Sequence, residues 1–215
     1  MADFVSHYLF GELALEAFPT VVQLAAARRP AAFNWGLQGP DPLFYRSVAF
    51  GSPLHKYGNQ MHSEHTDELF FAFSRAVNRM TGENRAIAEA YFYGFLCHYA
   101  LDSTLHPYVY CRQYECQEAD PNLNASAVHC QIESDIDYAL YDREYHAPVT
   151  EFDPGKYYQL AHDELAVLAV LLHYLLKTVY QVEVSTHDLR SAFREMLTAE
   201  RFLYSEHRAA YRGIQ

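Results

Sequence analysis

Apolar residues recur at three- and four-residue spacing along most of this chain, the period of an α-helix rather than a strand. Runs that alternate apolar and polar residues between turn signals are scarce. The pattern predicts an all-α fold, a multi-helix bundle packed helix on helix around one core. With 215 residues, no internal repeat and no linker-like stretch, the expected organisation is a single helical domain over residues 1–215.

Capping and breaker residues set the expected boundaries. A first helix runs from Ser6, read as its N-cap, to Phe18 before Pro19; a short second covers Val21 to Arg29 before Pro30. The stretch AAFNWGLQGPDPLFYRSVAFGSPLHKYG is rich in Gly and Pro yet aromatic, so it reads as a loop packed against the rest. Further helices are expected from Asn59 to Met80 and from Glu83 or Asn84 to Ser103, the latter followed by a turn through His106 and Pro107. Three more are expected, over Ser126 to Tyr141, Lys156 to Val179, and Thr186 to Tyr204.

Charge and apolar patterning exclude several functions. The formal charge of −11, from 27 acids against 16 Lys and Arg, argues against a basic surface that tracks a nucleic-acid polymer. The most apolar window, Leu165 to Tyr180, is too short to span a bilayer and contains His173 and Lys177, so it reads as a buried core helix. The opening MADFVSHYLFGELALEAF lacks a basic region before an apolar run and lacks a small-residue cleavage site, which predicts a cytoplasmic protein. Cys97, Cys111, Cys116 and Cys130 form no CxxC pair and are expected to be free thiols; pairing or metal binding by Cys111 and Cys116, in a Tyr-rich loop, is the weaker alternative.

The chain carries 12 histidines, and imidazole is the commonest neutral metal ligand. In GFLCHYALDSTLHPY, His98, Asp102 and His106 stand at i, i+4 and i+8. Four helical residues advance about 400°, so the three side chains leave nearly one face. His129 and Glu133 in HCQIESDID repeat the i, i+4 spacing on another expected helix. A His and an acid four apart are common on solvated faces, and one such pair means little. Here, however, His98 sits in the apolar run AYFYGFLCHYAL, and a buried His and Asp need partners or a metal to offset desolvation. A core His–Asp hydrogen bond is the bland alternative.

These motifs resemble the zinc-dependent phospholipases C of bacteria, whose helical fold is shared with fungal single-strand-specific nucleases. In that family one helix supplies a His, an Asp four residues later and a further His to a zinc cluster, and a later His-xxx-Glu pair completes one zinc. His98, Asp102, His106, His129 and Glu133 fall on those roles. The resemblance extends to His7 in SHYLFG, Asp41 in GLQGPDPLFYR and His62 in YGNQMHSEH, with His65 as the reserve for His62. Without it, His7 would read as a local helix-start contact and Asp41 as a turn residue. Asp102 to His106 is shorter, and His106 to His129 longer, than in the secreted enzymes, which suggests a divergent intracellular branch.

The resemblance implies Zn2+ as cofactor, with two ions and room for a third. In the secreted enzymes a terminal Trp binds one zinc; this chain begins Met1-Ala2, so any third metal is expected to be weaker, absent or differently held. Asp102 would bridge metals, His62 and His98 would complete one, and His106, His129 and Glu133 would hold another. Asp41 would act catalytically, orienting or deprotonating the attacking water, with Trp35, Phe44 and Tyr45 shaping an apolar wall. The implied reaction is hydrolysis of a small phosphodiester or phospholipid headgroup ester. Two rivals stand beside it: a non-catalytic metal-binding protein of the same fold, and a His-Asp phosphohydrolase built on His162-Asp163 or His187-Asp188.

Overall fold

The structure, a computed structural model, describes residues 4–46 and 54–212, except the side chains of 205–212. Among the described residues the chain forms eleven α-helices, one 3-10 turn and no strand. The helices are α1 (Phe4–Ala17), α2 (Thr20–Arg28), α3 (Pro30–Leu37), α4 (Pro42–Tyr45), α5 (Leu54–Ser63), α6 (Thr66–Arg79), α7 (Gly82–Ala119), α8 (Ala125–Tyr145), α9 (Pro154–Tyr158), α10 (His162–Val179) and α11 (Thr186–Arg212).

The all-α expectation holds, and its errors of boundary have local causes. Pro30 starts α3 instead of following a helix into a loop, because proline's fixed φ suits the first helical position. The expected Asn59–Met80 helix is two helices, broken where His65 takes a left-handed conformation with φ 57°. In the other direction, α7 runs on through Pro107 for 38 residues and carries Cys111 and Cys116, which are therefore helical rather than in a loop. Its second half packs on α8 and buries Val109 and Gln113, and that packing outweighs the hydrogen bond proline forfeits. The expected Lys156–Val179 helix divides into α9 and α10, where Glu164 accepts the Ala161 N–H at 2.9 Å to cap α10. Ser6 lies inside α1, not at its cap. None of the four cysteines is in a disulfide.

The core gathers on the first half of α7 through Ile87, Tyr91 and Phe95, with Trp35, Phe73, Phe193 and the Leu-rich face of α10 around them. The Leu165–Tyr180 window lies mostly within α10, and among the described residues no helix is long and apolar enough to cross a membrane. The tightest contact is where α3 crosses α7. A Cβ on Gly36 would overlap the Tyr91 carbonyl oxygen, and one on Gly94 would overlap that of Phe33, so backbone meets backbone. Just beyond, Gly39 adopts φ 51° and lies flat on the His98 ring, where a Cβ has no room. The crossing therefore wraps the α3–α4 turn around His98 and delivers Asp41 beside it.

Candidate metal centre

Five separate segments bring side chains to one centre. His7 comes from α1, Asp41 from the turn before α4, and His62 from α5. One face of α7 gives His98, Asp102 and His106, and α8 gives His129 and Glu133. Asp102 stands at the centre. Its Oδ1 is 3.2 Å from His7 Nε2, while its Oδ2 is 3.4 Å from His98 Nε2 and 3.7 Å from both His62 Nε2 and His106 Nδ1. On one side Asp41 Oδ1 is 3.1 Å from His62 Nε2, which lies 3.2 Å from His98 Nε2. On the other, Glu133 Oε1 is 2.9 Å from His129 Nε2 and 3.4 Å from His106 Nε2. Three groups have ligand atoms within 4.8 Å of one another: His7–His98–Asp102, Asp41–His62–His98, and His106–His129–Glu133. The Met1–Ala2 segment, where the resemblance places a terminal-amine ligand, is outside the described residues.

The far ring nitrogens are also held. His98 Nδ1 donates to the Leu37 carbonyl at 3.1 Å, and His62 Nδ1 to the Gly58 carbonyl at 2.8 Å. His129 Nδ1 donates to Gln113 Oε1 at 3.0 Å. An amide or carbonyl oxygen only accepts, so each Nδ1 carries the hydrogen and each Nε2 turns toward the cleft, the arrangement metal-bound imidazoles use.

Burial and neighbouring charge set the protonation states. Burial pushes His98 down to about 4, helped by His7 and opposed by Asp102. Burial also opposes charging of His62, yet the hydrogen bond to Asp41 prevails and raises it to about 9. Burial alone would raise Asp102, Asp41 and Glu133. The facing imidazoles instead hold Asp102 far below the usual carboxylate range, and Asp41 and Glu133 below it too. The centre thus presents three carboxylates held in the charged form and a neutral His98, and the proton on His62 stands where a cation would serve both Asp41 and Asp102. A borderline cation fits this donor set of imidazole nitrogens and carboxylate oxygens.

The centre opens on a cleft of about 720 Å³. Phe44, Tyr99 and Tyr110 form its apolar wall, and Asn59, Ser63 and Ser126 add polar groups. Of the three aromatic residues expected at the wall, only Phe44 is there. Trp35 is buried in the core and donates to the Tyr158 carbonyl at 2.7 Å, and Tyr45 donates to Glu200. His65 is exposed and faces Glu68 rather than the cleft. His162, Asp163 and His187 sit exposed, and Asp188 half-buried, in the first turns of α10 and α11, also off the cleft. Sequence reasoning missed Gln113, although it stands seven residues beyond His106, on the same helical face.

No curated protein and no solved structure matches the chain. The family model described as zinc dependent phospholipase C matches residues 6–170. That span starts one residue before His7, ends beyond Glu133 and takes in all eight side chains of the candidate centre; the chain belongs to the zinc-dependent phospholipase C family.

Proposed function

We propose that this protein is a metal-dependent phosphodiester hydrolase that works with two zinc ions and a weaker third, in one helical domain. The observation that carries the proposal is the meeting of three ligand groups at Asp102, with Asp41, His62, Asp102, His106, His129 and Glu133 lining an open cleft and His7 and His98 buried behind them. His62 and His98 would hold one ion beside Asp41, and His106, His129 and Glu133 another, with Asp102 between them and its Oδ1 shared with His7. Bound zinc supplies Lewis acidity toward phosphoryl oxygen and lowers the pKa of water.

The chain's own residues account for the rest. Asp41, held ionised beside His62, orients the attacking water or takes its proton. The outer hydrogen bonds from His62, His98 and His129 keep each Nε2 aimed inward, so little reorganisation remains when ligands engage. Phe44, Tyr99 and Tyr110 offer an apolar wall to the organic part of a small diester or phospholipid headgroup. No Lys or Arg is among the described lining residues, so the substrate's negative charge would be met by metal.

The test is turnover of zinc-loaded protein on a non-lipid aryl phosphodiester and on a short-chain phospholipid. Asp41→Asn is expected to lower turnover by about a hundredfold or more, the scale of losing a general base, while keeping most of its zinc. Loss of zinc in proportion to activity would make Asp41 a ligand instead. Equal activity would remove it from the mechanism, and an inactive, fully loaded wild type would leave a non-catalytic metal-binding protein.

A further inference from the structure

On α8 the His129–Glu133 row continues to Asp137, again four residues on, and Asp137 is only 5% exposed. Its carboxylate does not face the cleft contacts of its neighbours but meets the start of α1. Oδ2 accepts the Val5 N–H at 3.1 Å and Oδ1 accepts the Ser6 N–H at 2.8 Å. The Ser6 hydroxyl donates to Oδ1 as well. The next residue is His7.

We propose that Asp137 is a positioning residue for the metal centre: by gripping the first turn of α1 it fixes His7 over Asp102, so that the His7 position of the centre depends on it. The proposal rests on the reading of His7 as a ligand.

Helix geometry makes the dependence steep. A shift of α1 by one residue would translate His7 by about 1.5 Å and rotate it by about 100°. Ligand distances, by contrast, hold within about 0.2 Å. The grip is strong, because bonds from N–H groups to a carboxylate are charge-assisted and a negative group suits a helix N-terminus. Gln38 adds a weaker hold from α3, donating to the Phe4 carbonyl at 3.1 Å. One rigid helix, α8, therefore carries two ligands directly and sets a third through α1.

The experiment titrates apo protein with Zn2+ by isothermal calorimetry, which counts the weaker third equivalent along with the two tight ones. Co2+ absorption on the same variants reports on each ligand environment, and circular dichroism reports on the fold. His7→Ala is expected to lose one ion, and Asp137→Ala to weaken that same ion by roughly 10- to 100-fold with helicity and the other sites unchanged. Asp137→Asn keeps one acceptor oxygen and should fall between wild type and Asp137→Ala. Full occupancy with wild-type affinity in Asp137→Ala, or a uniform weakening of every site, overturns the proposal. Should Asp137→Ala fail to fold, Asp137→Asn takes its place, and unchanged affinity or uniform weakening in that variant overturns the proposal equally. If His7→Ala itself keeps every ion, the ligand role of His7 falls and the proposal with it, while the His106–His129–Glu133 site and the hydrolase reading stand.

Discussion

His7 Nε2 lies 3.2 Å from Asp102 Oδ1, which ties the first helix to the middle of the seventh through a single carboxylate oxygen. The other oxygen faces His98, His62 and His106. Each of the three ligand groups reaches this side chain through an imidazole: His7 and His98 in one, His62 in the second and His106 in the third. Asp102→Ala is therefore expected to lower zinc affinity by more than about 100-fold, beyond the 10- to 100-fold typical of outer residues. Isothermal titration against His187→Ala, a change at an imidazole 83% exposed on α11, provides the comparison.

The zinc ions should not bind alike. His98 has one Nε2, and with Nδ1 given to Leu37 it can serve the Asp41–His62 side or the His7 side, not both. If it serves Asp41 and His62, the described residues leave the third position only His7 and one oxygen of Asp102. Stepwise titration is expected to show two tight equivalents and a weaker one; three equal sites would contradict this.

Gln113 is expected to matter although it supplies no ligand atom. Its Oε1 accepts from His129 Nδ1, and its amide nitrogen donates to Gln117 Oε1 at 3.2 Å. Gln113→Leu removes the acceptor and should weaken the His106–His129–Glu133 site by about 10- to 100-fold. Gln113→Glu restores an acceptor and should recover most of that loss, measured as zinc affinity.

Away from the cleft, Glu200 gives the stability a pH dependence. Burial raises it from 4.5 to about 7, with the Tyr45 hydroxyl drawing it partly back. Between pH 4.5 and 7 the unfolded chain has released this proton and the folded one retains it, so the folded state binds more protons and stability falls as pH rises. The loss is on the order of 3 kcal/mol and is complete above pH 7. Glu200→Gln should flatten that part of the profile in urea unfolding followed across pH.

Much of this was legible in the sequence because helices repeat. The i, i+4 steps from His98 to Asp102 to His106 and from His129 to Glu133 need only a helical face, and both faces exist. What could not be read locally depended on neighbours. Pro107 looked like a stop, and only the packing of α8 on Val109 and Gln113 carries the helix through it. Trp35 beside the Pro40-Asp41 turn suggested a substrate wall, but α3 is a helix whose inner face points Trp35 to the core. Asp137 and Gln113 lay on the right helical faces all along. Their partners, Val5 and Ser6 in one case and His129 in the other, are joined to them by tertiary contact alone.

The contact between Gly36 and Gly94 also bears on the order of events in folding. Isolated α7 already presents His98, Asp102 and His106, but the carbonyl that orients His98 and the turn that carries Asp41 arrive only when α3 docks. Closing that long loop is an entropic step the local helix cannot replace. Capture of a metal ion by His62 and His98 would then come after the docking transition state, and interactions absent from a transition state act on unfolding alone. Zinc should accordingly lengthen the lifetime of the folded chain far more than it hastens its formation.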